Sequence, residues 1–144
     1  MSRPADARVW VARIAVGAVF LMNVQSALLF ILTPGRYVAG FELAGVPGET
    51  AVRGLGIAFL MWNATYPLVV WDPRKHRTLF GVVLAQQFIG LVGETWLLLT
   101  LPAGHGALAA GVSRFIVFDI GGLALLLLAF MLHARDRDGA ERVP

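Results

Sequence analysis

Arg53, Glu94, Arg114 and Asp119 each fall inside or at the edge of a long apolar run of this 144-residue chain. Two carboxylates can work as an acid–base couple when their surroundings separate their proton affinities. Two guanidinium groups can neutralise those carboxylates. A charge at the centre of a membrane helix costs roughly 2.5–3.5 kcal/mol on insertion scales. Such residues therefore persist where they pair, face a wet cavity or reach the interface. Their positions predict a paired network in the outer half of a bilayer, with Arg53 and Arg114 neutralising Glu94 and Asp119. Which arginine meets which carboxylate stays open.

Uncharged polar residues extend the pattern. Gln87, Gly90 and Glu94 follow i, i+3, i+7 spacing and so share one helix face, with Gln86 and Gly93 beside them. Glycines on such a face allow close helix approach, and Gly54, Gly56, Gly121 and Gly122 offer the same on the neighbouring runs. Asn63 falls near the midplane of its run. Pro67, four residues on, removes the donor that the Asn63 carbonyl would use and predicts a kink, with Thr65 or water to satisfy that carbonyl. Asn23, Gln25, Gln86 and Gln87 read best as interhelical hydrogen-bonding groups. Two readings of the charged set stand side by side: a packing network that fixes helix order, and a ligand site.

Other chemistry is poorly supplied. There is no cysteine, which excludes disulfides and thiolate sites. His76, His105 and His133 lie at or near the ends of apolar runs, so no pair is set to hold a haem or an intrinsic metal. Hydroxyl residues at depth have no histidine on the same side of the membrane to act as base, and the reading leans away from an enzyme. The basic residues, which give a sequence pI near 10.2, sit at the ends of apolar runs rather than in a stripe, which argues against nucleic acid.

The elements that must position these residues are transmembrane helices. Hydrophobic residues make up 58% of the chain and charged residues only 15%, too few to cover a soluble surface. Four runs are long enough to cross about 30 Å of hydrocarbon, at about 9–32, 51–71, 78–101 and 114–133. They predict an all-α, integral membrane four-helix bundle, up-down-up-down, within a single domain 1–133. The first run is too long for a cleaved signal and is read as a retained helix. Segments 33–50 and 102–113 are rich in glycine, proline or alanine and read as outer loops, 72–77 is a tight basic turn, and 134–144 is a polar, disordered tail. Arg3, Arg8, Arg13, Arg74, Lys75, Arg77, Arg135, Arg137 and Arg142 collect on one side, which puts both termini in the cytoplasm.

Arg13-Ile-Ala-Val-Gly17, Pro34-Gly-Arg-Tyr37, Arg53-Gly-Leu-Gly56 and Gly90-Leu-Val-Gly-Glu94 stand in an order that resembles the DoxX-like family of small four-helix bacterial membrane proteins. The resemblance spans about residues 13 to 130. It implies a multi-pass protein of the bacterial plasma (inner) membrane that accompanies a redox system near quinone, and it supplies no catalytic motif. The reading reached is an accessory or ligand-binding bundle with an outward-facing polar cavity for a lipid, a quinone or another amphipathic molecule. Arg53, Glu94, Arg114 and Asp119 would line it, with Gln87 and Asn63 deeper. The alternatives are a small dimeric transporter and an assembly subunit of a membrane redox complex. Expected partners are the bilayer, a second copy or the subunits of such a complex.

Overall fold

The computed structural model describes the backbone of residues 4–140 and the side chains of residues 7–132. Over these residues the chain is helical: α1 (Pro4–Leu32), α2 (Gly45–Trp62), α3 (Tyr66–Trp71), α4 (Arg77–Thr100) and α5 (Gly106–Ala140). One 3-10 turn, Asn63–Thr65, joins α2 to α3, so the two form a single bent span. Four segments are long and apolar enough to cross a membrane: Ala7–Leu32, Gly45–Trp71, Arg77–Thr100 and Gly106–Leu132. Large apolar side chains cover the outside, among them Leu99, Trp71 and Val117 at 80%, 78% and 71% exposure. Such a surface is stable against hydrocarbon and would aggregate in water.

The kink expected from Pro67 is present, and its hydrogen bonding differs from expectation. The Tyr66 N–H donates to the Asn63 carbonyl in the 3-10 turn, so neither Thr65 nor water is needed there. The Thr65 hydroxyl is free to donate across to Gln86 Oε1 at 3.1 Å.

Two helices start earlier than the sequence suggests. The second span begins at Gly45 rather than near 51, because Pro47 sits in its first turn, where a missing N–H costs nothing. Thr50 is thus inside the helix, its hydroxyl donating to the Val46 carbonyl at 2.8 Å. The last span begins at Gly106 rather than 114, taking in most of the segment read as a loop. Glu42 supplies the reason from a distant part of the chain. Its carboxylate meets His105 Nδ1 at 2.5 Å and accepts the Leu108 N–H at 3.2 Å, capping the N-terminus of α5. At its other end α5 continues to Ala140, into the segment expected to be a polar tail, while residues 141–144 lie outside the described residues.

The bundle is packed unevenly. Ala12, Val16, Tyr66, Phe80, Val83 and Leu126 belong to one fully buried apolar cluster at the end near the basic turn. There the Arg13 guanidinium donates to the Trp71 carbonyl and lies 5.2 Å from the Trp10 ring. The 72–77 turn is fixed by Asp72 Oδ1, which accepts the Arg74 and Lys75 N–H groups at 3.0 Å each. Toward the opposite end the helices separate around aromatic rings and polar groups. At Gly56, however, α1 and α2 nearly touch: a Cβ there would fall 2.7 Å from the Ala27 carbonyl oxygen and 2.9 Å from Ile31 Cγ1.

Gly56→Ala is therefore expected to destabilise the protein by about 1–3 kcal/mol, because backbone must move. Gly54→Ala, with nothing within 4 Å of the new Cβ, is expected to be neutral. Unfolding in SDS micelle titrations compares the two.

The Glu42 clasp yields a pH prediction. The hydrogen bond from His105, and next the Leu108 amide, hold the Glu42 carboxyl below its usual value of 4.5. A depressed folded value stabilises at pH above the unfolded value and is lost as pH falls through the folded one. Hydrogen exchange in the 33–44 loop, corrected for intrinsic rates, is expected to remain slow down to the ordinary glutamate value and to quicken only below it. Loosening that begins well above that value would contradict the assignment to Glu42.

Candidate functional site

The polar residues of the sequence pattern gather where α4 crosses α5. Gln87 and Gly90 are one turn apart on α4, and Asp119 and Gly122 are one turn apart on α5. Each polar side chain lies over the other helix's glycine. A Cβ on Gly90 would meet Asp119 Oδ2 at 2.6 Å, and one on Gly122 would meet Gln87 Nε2 at 3.0 Å. In the groove so formed, Gln87 Nε2 donates to Asp119 Oδ1 at 2.7 Å.

The remaining helices join through side-chain amides. The Tyr66 hydroxyl donates to Gln87 Oε1 over a long 3.4 Å. Asn23 Nδ2 of α1 donates to Asn63 Oδ1 at 3.1 Å, and Asn63 Nδ2 donates to the Phe59 carbonyl at 2.8 Å. Gln86 Nε2 donates to the Trp62 carbonyl at 3.2 Å. Every span contributes to one polar layer. Asn63 and Gln87 are the polar side chains it buries, at 3% and 4% exposure.

Beside this layer is a cavity of about 370 Å³, within the range of small-molecule sites. Asn63, Gln87, Glu94, Arg114 and Asp119 all line it. Its apolar walls are Phe59, Trp62, Phe115 and Phe118. The Glu94 carboxyl is within hydrogen-bonding reach of Asp119, and its Oε2 is buried with no hydrogen-bond partner. Either a proton held between the two carboxyls or a donor from the cavity satisfies such an oxygen.

The expected ion-pair network is corrected in three respects. Among the described residues no charged side chain is fully buried: Arg53 and Arg114 are exposed, and Glu94 and Asp119 are half-buried. No ion pair joins either arginine to either carboxylate; the carboxyls face each other and Gln87 instead. Arg53 does not line the cavity at all, its Nε donating to the Ile31 carbonyl at 3.2 Å between α2 and α1. Helical phase is the reason. Arg114 and Asp119 are five residues apart, which at about 100° per residue puts them roughly 140° apart around α5.

Sequence reasoning passed over Tyr66 and the aromatic walls. A signal was present, since Phe59, Asn63 and Tyr66 follow i, i+4, i+7 spacing on one face. The exposure of Trp62 in mid-span, an exception to interfacial tryptophan placement, is accounted for by its position on the cavity wall.

If Gly90 exists to admit Asp119, then Gly90→Ala and Gln87→Met break the same hydrogen bond. Each is expected to cost about 1 kcal/mol, the scale of interhelical hydrogen bonds in membranes. The double variant is expected to cost little more than either alone, measured as a double-mutant cycle in SDS unfolding. Full additivity would show that the two act separately.

Compared with known proteins, the chain matches no family model, no curated protein and no solved structure.

Proposed function

We propose that the chain is an accessory, ligand-binding protein of a bacterial plasma membrane whose cavity takes the head of a lipid-soluble, ring-headed molecule of the quinone and quinol class. The observation that carries this reading is the buried, unpartnered Glu94 Oε2 facing a cavity with aromatic walls. A quinol hydroxyl would donate to Glu94 or Asp119, side-chain amides of Gln86 or Asn63 would be within the same lining, and Phe59, Phe115 and Phe118 would flank a planar ring. An isoprenoid-like tail would leave between helices into lipid.

The up-down-up-down arrangement with cytoplasmic termini belongs to this reading. The pairs Arg13–Trp71, Asn23–Asn63 and Ile31–Arg53 support antiparallel first and second spans, and Gln87–Asp119 with Phe80–Phe130 support the same for the last two. With basic residues inside, the cavity opens toward the outer half. The apolar cluster of Val16, Tyr66, Phe80 and Leu126 then closes the inner half, which speaks against a transport path through one chain. The resemblance to the DoxX-like family, with its link to redox systems, points the same way.

The test is titration of the detergent-solubilised protein with decyl-ubiquinol, followed by native mass spectrometry. Saturable one-to-one binding is expected, weakened about tenfold by Glu94→Gln, as for loss of one charge-assisted hydrogen bond. No saturable binding would remove the quinol and leave the polar layer a structural device, and equal binding by a folded Glu94→Gln protein would remove Glu94 from the site.

A further inference from the structure

A second cavity, of about 390 Å³, adjoins the first and shares Ser26, Arg114 and Phe115 with it. It is bounded by the 33–44 loop, α1 and α5. Phe30 forms its aromatic floor, edge-on to Tyr37 at 4.8 Å and to Phe41 at 5.8 Å between ring centres. The loop is held there by the Glu42 clasp on α5, and the Gly40 carbonyl lies 3.4 Å from where a Cβ on Gly111 would stand.

Two cations line this space, Arg36 from the loop and Arg114 from α5. Neither has a hydrogen bond or ion pair to any of the described residues. For Arg36, in a loop, that is ordinary. For Arg114, on a candidate membrane span, it leaves a full set of guanidinium donors open. This side chain sits about 12 Å along that helix, at 1.5 Å per residue. An unpaired guanidinium on such a helix persists when an anion, water or the interface reaches it.

Charge separates the two cavities. Glu94 and Asp119 line only the first, where they would repel an anion; Arg36 lines only the second. The second cavity thus combines two guanidinium forks suited to phosphate or carboxylate oxygens with walls of Leu29, Phe30 and Phe115 suited to an acyl chain. We infer that it seats the phosphate or carboxylate head of an anionic amphiphile between Arg36 and Arg114, its chain lying along α1 and α5. This site is separate from the quinol site and stands without it.

The experiment is native mass spectrometry of the full chain after equilibration with mixed micelles of phosphatidylglycerol and phosphatidylcholine. The basic 72–77 turn at the other end also attracts anionic lipid, so Arg74→Gln/Lys75→Gln/Arg77→Gln serves as the background for every comparison. Preferential retention of one phosphatidylglycerol is expected. Arg36→Gln/Arg114→Gln is expected to reduce that preference at least about tenfold, the worth of one charge-assisted contact. Arg36→Gln alone, which alters an exposed loop residue and leaves the fold intact, is expected to reduce it in part. Glu94→Gln is expected to leave it unchanged, which keeps this result independent of the quinol titration. Equal retention of both lipids, or a preference indifferent to the arginine changes, would overturn the inference. Displacement of the lipid by low-millimolar inorganic phosphate would overturn the amphiphile in favour of a free phosphate.

Discussion

The contact between Gln87 and Asp119, laid across Gly90 and Gly122, is the constraint that organises this bundle. In hydrocarbon there is no hydrophobic gain from bringing two apolar helices together, so approach must come from small residues and polar pairing. Here both occur at one crossing and in reciprocal form, each helix giving one glycine and one polar side chain. The pairing fixes the rotation of α4 and α5. Once that rotation is set, Glu94, one turn beyond Gly90, is carried to the same face and its carboxyl falls beside Asp119. Tyr66 and Asn63 then complete the layer from the bent span, and Asn23 from α1.

The bend at Pro67 matters to the same layer. In a straight helix Pro67 would leave the Asn63 carbonyl without a donor, and the Thr65 hydroxyl would be free to turn back to local backbone. The 3-10 turn instead gives the Asn63 carbonyl to the Tyr66 N–H and turns Thr65 toward Gln86. Of two consecutive glutamines on α4, Gln86 finds its partners on the bent span, and Gln87 bridges Tyr66 of that span and Asp119 of α5. On one side of this layer the helices interlock through valine, alanine and phenylalanine. On the other they are held apart by aromatic rings, and both cavities open there.

Much of this was readable from residue types and spacing. Four apolar runs, the inward face of Gln87, Gly90 and Glu94, and the kink at Pro67 follow from period and chemistry that a single helix carries by itself. What was not readable depends on contacts between distant segments. The start of α5 at Gly106 is set by a carboxylate from Glu42, and nothing local to 102–113 announces it. The expectation that two arginines would neutralise two carboxylates counted charges and depths but ignored helical phase. A difference of about 140° between Arg114 and Asp119 is enough to send one to the cavity margin and the other into the crossing. Arg53 is a similar case: its depth fits the network, but its direction takes it to the Ile31 carbonyl.

The absence of ion pairs between the acids and the arginines, among the described residues, has a consequence for the end of the bundle that holds the cavities. Had Arg114 paired with Glu94 or Asp119, the charges would have cancelled and the space between helices would have offered little to a polar head. Unpaired, the carboxyls line one cavity and Arg36 lines its neighbour, with Arg114, Phe115 and Ser26 as the shared wall. Phe115 also stands in contact with Phe30 on one side and Phe59 on the other, at 6.3 Å between ring centres in both cases. That ring is therefore part of the wall of both cavities, packed between one aromatic neighbour on α1 and one on α2.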